Sequence, residues 1–424
     1  MNISIPKGWN YKRISSENVL FCLFLGAFFA MPLGTTPWTI CAVLAGLIWL
    51  FSGRALRFSR SYVENRWSWP VFLLIVLPWI GLLYSPDPAG LGLKYAKKTH
   101  YWIYCFALAS IASGVFPAKR LVHAFLLGMA VNALVAVFQV MGILPLLKGE
   151  YRGVGPAYRT LSAYLAIGIL MASYYFRRAE IRKIQIYLLL LMALYFFHLI
   201  VLKGRTGYFT FLVLSPLVVW NLLKRFNVFR ALLIWVLLFG LMLASPVVRD
   251  MISKTVNQLK YHLNADSSAA WGKAYTAQQD RFYMWYGAVH MFMEHPLIGV
   301  GTGGYQTYLK ERGEPEDPLI AHPHNDFLYM AVSFGIVGIF AFLWLFREIL
   351  GNAWKERDTT LGYFVFSAAL VILVSGLFNA QTLDAGMAFL VAVTVGLQQG
   401  FPKFAKQRTN DAVKSVVQRK AGET

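Results

Sequence analysis

What most constrains this chain is a series of apolar runs, each about 16–24 residues long, that recurs along most of its length. A helix rising about 1.5 Å per residue needs roughly 20 such residues to cross a hydrocarbon layer about 30 Å thick. Inside that layer the backbone must satisfy its own hydrogen bonds, which leaves helices as the natural form for runs of this length. Twelve spans are predicted, near 18–31, 37–52, 69–84, 100–116, 121–144, 161–176, 184–202, 206–223, 230–248, 325–346, 360–379 and 385–400. Several are short enough to be tilted or re-entrant. At 57% hydrophobic and 14% charged residues, the chain is too apolar for an ordinary soluble enzyme. The expected fold is an all-α polytopic membrane protein of about twelve transmembrane helices, with a helical segment outside the membrane before the tenth span.

The charges give the orientation. Placing the N-terminus in the cytoplasm puts basic residues in every inner segment: Lys7, Lys12 and Arg13; Arg54, Arg57, Arg60 and Arg66; Lys119 and Arg120; Arg177, Arg178, Arg182 and Lys183; Lys224, Arg225 and Arg230; Arg347, Lys355 and Arg357. Cytoplasmic loops are expected to be basic in this way. Both termini then face the cytoplasm, and 401–424 is a basic cytoplasmic tail. Residues 249–324 form a helical insertion on the outer, periplasmic side of one integral membrane domain covering 1–424. The first apolar run leads into Pro32-Leu33-Gly34 and a second span, without a small-residue cleavage site, so it reads as a retained helix. Cys22, Cys41 and Cys105 lie inside apolar runs and suggest neither disulfides nor metal ligation.

Several outer charges are not required by orientation. Lysines near span ends are explained by snorkelling to lipid phosphates. Arg152, Arg159, Arg205 and Arg281 call for more, because arginine keeps its charge and grips phosphate oxygens with a planar fork. A lipid-linked diphosphate suits such a cluster. Within the insertion, Ile252, Val256, Leu259 and Leu263 repeat at helical spacing, and Phe282, Trp285, Val289 and Phe292 mark a second helix over 278–292, ended by His295-Pro296. Both are expected to lie on the membrane or over the bundle, with Arg281 in the first turn of the second.

His322-Pro323-His324-Asn325 stands where this polar segment enters an apolar run. A neutral imidazole titrates near neutral pH and can take a proton from a hydroxyl, which makes His324 the candidate base. The plainer alternative leaves both histidines at the membrane interface and Asn325 as a helix cap. A metal would need further ligands. Glu311, Glu314, Glu316 and Asp317 are near in sequence, but no cysteine or third histidine has suitable spacing, so no metal is assigned. Gly299-Val-Gly-Thr-Gly-Gly304 matches the dinucleotide-binding glycine pattern but follows a helix and a proline instead of a strand, so it is taken as a tight turn. Lys203-Gly-Arg205-Thr-Gly207 is a basic turn between spans, for which an outer hairpin with snorkelling side chains is the alternative. Asp384 opens the last span as a helix cap.

His324-Asn325, nine residues, then Gly335-Ile-Val-Gly338 resembles the H-N-x9-G-x-x-G pattern of the bacterial O-antigen ligases, grouped with the O-antigen polymerases in one superfamily. The resemblance covers most of the chain. Arg205 and Arg281 look like that family's essential arginines, Gly299-Val-Gly301 is similar to its usual turn, and Arg152 and Arg159 resemble its basic stretch before an early-middle span. The resemblance implies a glycosyltransferase that moves an O-antigen chain from undecaprenyl diphosphate to the lipid A–core oligosaccharide at the periplasmic face of the inner membrane. It implies no metal, ATP or other cofactor. His324 would be the base and Arg205, Arg281, Arg159 and Arg152 would bind diphosphate. His322, Asn325, Lys203 and Asp384 would support them. The partners are then the two lipid-anchored saccharides and membrane lipids, with no nucleic acid. An O-antigen polymerase, a protein O-oligosaccharyltransferase and, in another class, a lipid-linked sugar transporter remain alternatives. The motif separates ligase from polymerase poorly.

Overall fold

The computed structural model describes residues 15–57, 59–112, 117–223, 227–264, 281–311 and 321–401. The expected tail over 402–424, the segment 265–280 and the acids Glu314, Glu316 and Asp317 lie outside these residues. A helix covers each of the twelve apolar stretches. They are α1 (Ser16–Ala30), α2 (Thr35–Phe51), α3 (Ser68–Ile80), α4 (Ile103–Ala112), α5 (Lys119–Val140), α6 (Tyr158–Arg178), α7 (Arg182–Val201), α8 (Arg205–Leu222) and α9 (Val228–Ala244). After the helices α10 (Pro246–Asn264), α11 (Arg281–Glu294) and α12 (Gly304–Glu311) come α13 (Asp326–Lys355), α14 (Thr360–Gly376) and α15 (Ala385–Leu397). Among the described residues no strand forms, and short helical turns fill some of the connections. Three helices, α5, α7 and α13, are individually long and apolar enough to cross a membrane. α4 and α15 are not: at about 1.5 Å per residue they fall well short of a hydrocarbon layer roughly 30 Å thick.

α6 is the central post. Nearly every residue from Thr160 to Tyr174 is buried, against α7, α8 and α14. α15, buried along its whole length, packs on α4. α7 and α9 expose Leu190, Leu232, Val236 and Leu241 outward, as helices facing lipid do.

The span predicted to reach residue 248 ends at Ala244. There the chain turns by 88° into α10. Pro246 takes the first helical position, where its missing N–H costs nothing, and the Ser245 hydroxyl donates to Ile200 O at 2.9 Å. α10 turns Val248 and Gln258 inward and leaves Ile252, Val256, Leu259 and Leu263 exposed. α11 buries Tyr283, Met284, Ala288 and Met291 and packs against α13, while Val289 is exposed and Phe282 and Trp285 are partly covered.

α13 is broken at Gly335, with φ 60° and ψ −149°. This conformation is essentially closed to other residues, and a Cβ there would sit 2.3 Å from the Leu297 carbonyl. The break frees backbone groups that cannot be left unpaired. The segment 296–301 takes them up: Val300 N donates to Val332 O at 2.7 Å, Gly301 N to Ser333 O at 3.2 Å, and Ile336 N to Pro296 O at 2.8 Å. Gly299, at φ 70°, fits because a Cβ would meet Val332 O at 2.2 Å. The glycine pairs in the two sequence motifs are thus opposite sides of one joint. It holds the first turns of α13, and the histidines before them, against the segment 296–301.

Candidate functional site

Several helix N-termini meet at one end of the bundle, those of α6, α8, α11, α13 and α15, as the contacts below establish. Unpaired N–H groups at such ends favour negative ligands. Arg205 is the first residue of α8, where Gly207 brings that helix against Ser162 of α6 too closely for any side chain. Its guanidinium donates to Thr255 Oγ1 at 3.2 Å and Gln258 Oε1 at 2.8 Å, both on α10. Arg281 opens α11 and donates to Thr206 Oγ1 at 3.3 Å. Arg159 lies in the first turn of α6, over the Tyr158 ring at 5.7 Å. Burial first, then the charges of Arg205 and Arg159, bring the Arg281 guanidinium down to about 10, so it stays charged at neutral pH. Three cations are therefore held within reach of one another, and their neighbours include Thr and Gln oxygens.

Beneath Arg205 and Arg281 opens a cavity of about 290 Å³ between α8, α9, α10 and α11. Apart from the two arginines, Thr255 and Gln258, its walls are mainly apolar, among them Phe209, Phe239, Met242 and Trp285.

The histidines lie next to this cluster. The rings of His322 and His324 meet at 4.2 Å between centroids, tilted by 56°. His324 has φ 49°, a left-handed conformation that costs a non-glycine residue on the order of 1–3 kcal/mol. Its backbone N–H donates to His322 Nδ1 at 3.2 Å, which requires that nitrogen to be unprotonated. Burial first, then His324, Lys98 and Arg159, hold His322 well below the usual imidazole range and keep it neutral. Arg159 thus acts on both Arg281 and His322 and joins the arginines to the histidines. The His324 ring itself meets Asn379, with Nδ1 3.3 Å from the amide Oδ1. Asn325 caps α13, accepting from Leu328 N at 3.1 Å and donating to Leu377 O at 3.0 Å. Asp326 is fully buried and accepts from Gln381 N, Thr382 N and the Thr382 hydroxyl, which pins the turn after α14 to the start of α13.

The other sequence candidates separate. Asp384 caps α15 and accepts from Thr160 Oγ1 at 2.8 Å, joining α15 to α6. Lys203 is exposed in the turn before Arg205. Arg152 is buried in the 145–157 loop, 4.0 Å from Glu150, with its own carbonyl held by Asn132, and is not among the charges acting on Arg281 or His322. Sequence reasoning passed over Asn379, Thr255, Gln258 and Lys98. Lys98 lies partly buried over the Tyr95 ring, donates to Leu383 O and feels the Asp384 charge. The polar pair Asn379 and Gln381 at the end of an apolar run was the available signal for that turn.

Residues 188–343 match the family model described as O-antigen ligase. The matched stretch holds Arg205, Arg281, both histidines and the glycine joint, and leaves out Arg159, Asn379 and Asp384. A protein of Rickettsia conorii named "Putative polysaccharide ligase" is 27% identical over 96 residues, covering 20% of this chain and 23% of that relative. The chain therefore matches about a quarter of that relative's length.

Proposed function

We propose that this protein is a membrane glycosyltransferase that transfers an O-antigen polysaccharide from undecaprenyl diphosphate to the lipid A–core oligosaccharide, at the periplasmic face of the inner membrane. One observation carries the reading. The Arg205–Arg281 pair stands over a mainly apolar cavity, with Arg159 linking it electrostatically to His322 beside His324. A polyisoprenoid diphosphate has the matching chemistry, an apolar chain below a dianionic head. The family-model match and the named relative support the coarser reading of a polysaccharide ligase.

In this mechanism the acceptor sugar hydroxyl attacks the anomeric carbon as the bond to the diphosphate oxygen breaks. The hydroxyl proton passes to His324, and the leaving diphosphate keeps the bonding electron pair. Arg205, Arg281 and Arg159 stabilise the charge that grows on it, as electrostatic groups do most effectively when already in place. Attack opposite the leaving group inverts the anomeric centre. Two substrates anchored in one membrane meet with little loss of translational freedom. The twelve helices are read as twelve passes with both termini cytoplasmic, the short α4 and α15 crossing inside the bundle. Purified protein, lipid-linked O antigen and lipid A–core should yield the linked product. Extension of the saccharide on its lipid carrier, with no product on the core, would assign a polymerase instead. Absence of transfer to either acceptor would overturn the reading.

A further inference from the structure

Asn379 lies just beyond the end of α14, 55 residues after His324, yet its side chain meets the His324 ring. Its surroundings orient it. Asp326 holds Gln381 and Thr382 through their backbone N–H groups at 3.0 Å each, which fixes the turn. Within that turn Asn379 Nδ2 donates to Gln381 Oε1 at 3.2 Å. An amide whose nitrogen is so engaged presents its oxygen to the imidazole, and an oxygen can only accept. With the amide so oriented, the nitrogen facing it carries the proton.

We propose that Asn379 is the positioning residue of this site: its carbonyl takes the Nδ1 proton of His324 and leaves the lone pair of the neutral ring on Nε2, the atom that receives the acceptor's proton. This rests on His324 being the general base. A carboxylate in this place would fix the same tautomer but would also stabilise the imidazolium and keep more of it protonated. The neutral amide orients the ring without adding charge. Among the described residues, the titratable and charged groups around the histidine pair include Tyr95 and Lys98 before α4, Arg159 on α6, Asp326 and Tyr329 on α13, and Asp384 at α15.

Two substitutions and one spectrum test this. Asn379→Ala removes the acceptor and should lower kcat about 10²-fold with the donor KM little changed. Asn379→Asp can accept but not donate. It should restore most of the rate and move the acid limb of the pH–rate profile to higher pH, because the new carboxylate raises the His324 pKa. Gln381 can serve that carboxylate by turning its amide, since its buried Nε2 has no hydrogen-bond partner among the described residues. The spectrum is the imidazole ¹⁵N signal of His324 in the unsubstituted protein, assigned by its loss in His324→Gln, and it should show the proton on Nδ1. A proton on Nε2 would overturn the proposal. So would an Asn379→Asp protein as slow as Asn379→Ala at equal folded amounts, because the amide would then be donating. The spectrum needs no saccharide. If it shows Nδ1–H while no lipid-linked donor supports transfer, the functional reading falls and the role of Asn379 stands.

Discussion

Removing the charge of Arg281 should make the protein more stable and less active at once. In the folded protein the guanidinium sits at about 10, against an ordinary value of 12.5, through burial and the facing charges of Arg205 and Arg159. The sign follows from proton linkage. A base whose pKa falls on folding carries a penalty that is complete below the folded value and fades as pH rises through it. At neutral pH the full penalty is present, and a shift of this size corresponds to at most about 3.5 kcal/mol, less what the partial access of solvent screens. Arg281→Gln removes that penalty and weakens the 3.3 Å bond to Thr206, worth about 1 kcal/mol. The net expectation is stabilisation of roughly 1–2 kcal/mol without donor. A charge-assisted bond to the diphosphate is worth about 1.5–3 kcal/mol, so kcat/KM should fall on the order of 10–150-fold. The assay pairs thermal unfolding of the detergent-solubilised protein, with and without lipid diphosphate, with the transfer rate. The lipid should raise the Tm of the unsubstituted protein and act weakly on the variant. A variant that unfolds earlier yet transfers at the normal rate would refute the reasoning, because Arg281 would then be a structural ion with no phosphate to hold.

His324→Ala should abolish most transfer while donor binding persists, and parallel loss of donor binding would show the ring positioning phosphate instead of moving a proton. Arg205→Lys keeps the charge but loses the planar fork that suits a diphosphate, so transfer should drop sharply at equal protein levels, and a near-normal rate would exclude a bidentate role. Gly335→Ala should destabilise by more than about 2 kcal/mol, since it adds a backbone clash to a conformation only glycine holds easily; an unchanged Tm would mean that the joint relaxes. A cysteine placed at Ser267 should label from outside intact cells, and labelling only after the inner membrane is opened would place the site on the wrong side for the proposed reaction.

Much of this was legible in the chain. Runs of apolar residues at spanning length announce helices because little else can satisfy a backbone in hydrocarbon, and a helix lies on each of the twelve stretches. Asn325 and Asp384 were readable as caps because capping is local, and both do cap. The four arginines were grouped by residue type alone, which carries no geometry. The charges of Arg205 and Arg159 bear on Arg281, while Arg152 lies 4.0 Å from Glu150 in its own loop.

By itself, then, the sequence determined the all-helical character, the approximate ends of the helices, the histidine before α13 and the glycines that allow a sharp turn. These follow from interactions between residues a few positions apart. Only the tertiary structure decided that Gly299 and Gly335 meet across one joint, that Arg159 links the arginines to His322, and that Asn379 faces His324. Each is a pairing between segments far apart in the chain. Local propensity carries no information about such pairings, because they are set by which helices pack side by side and at what height.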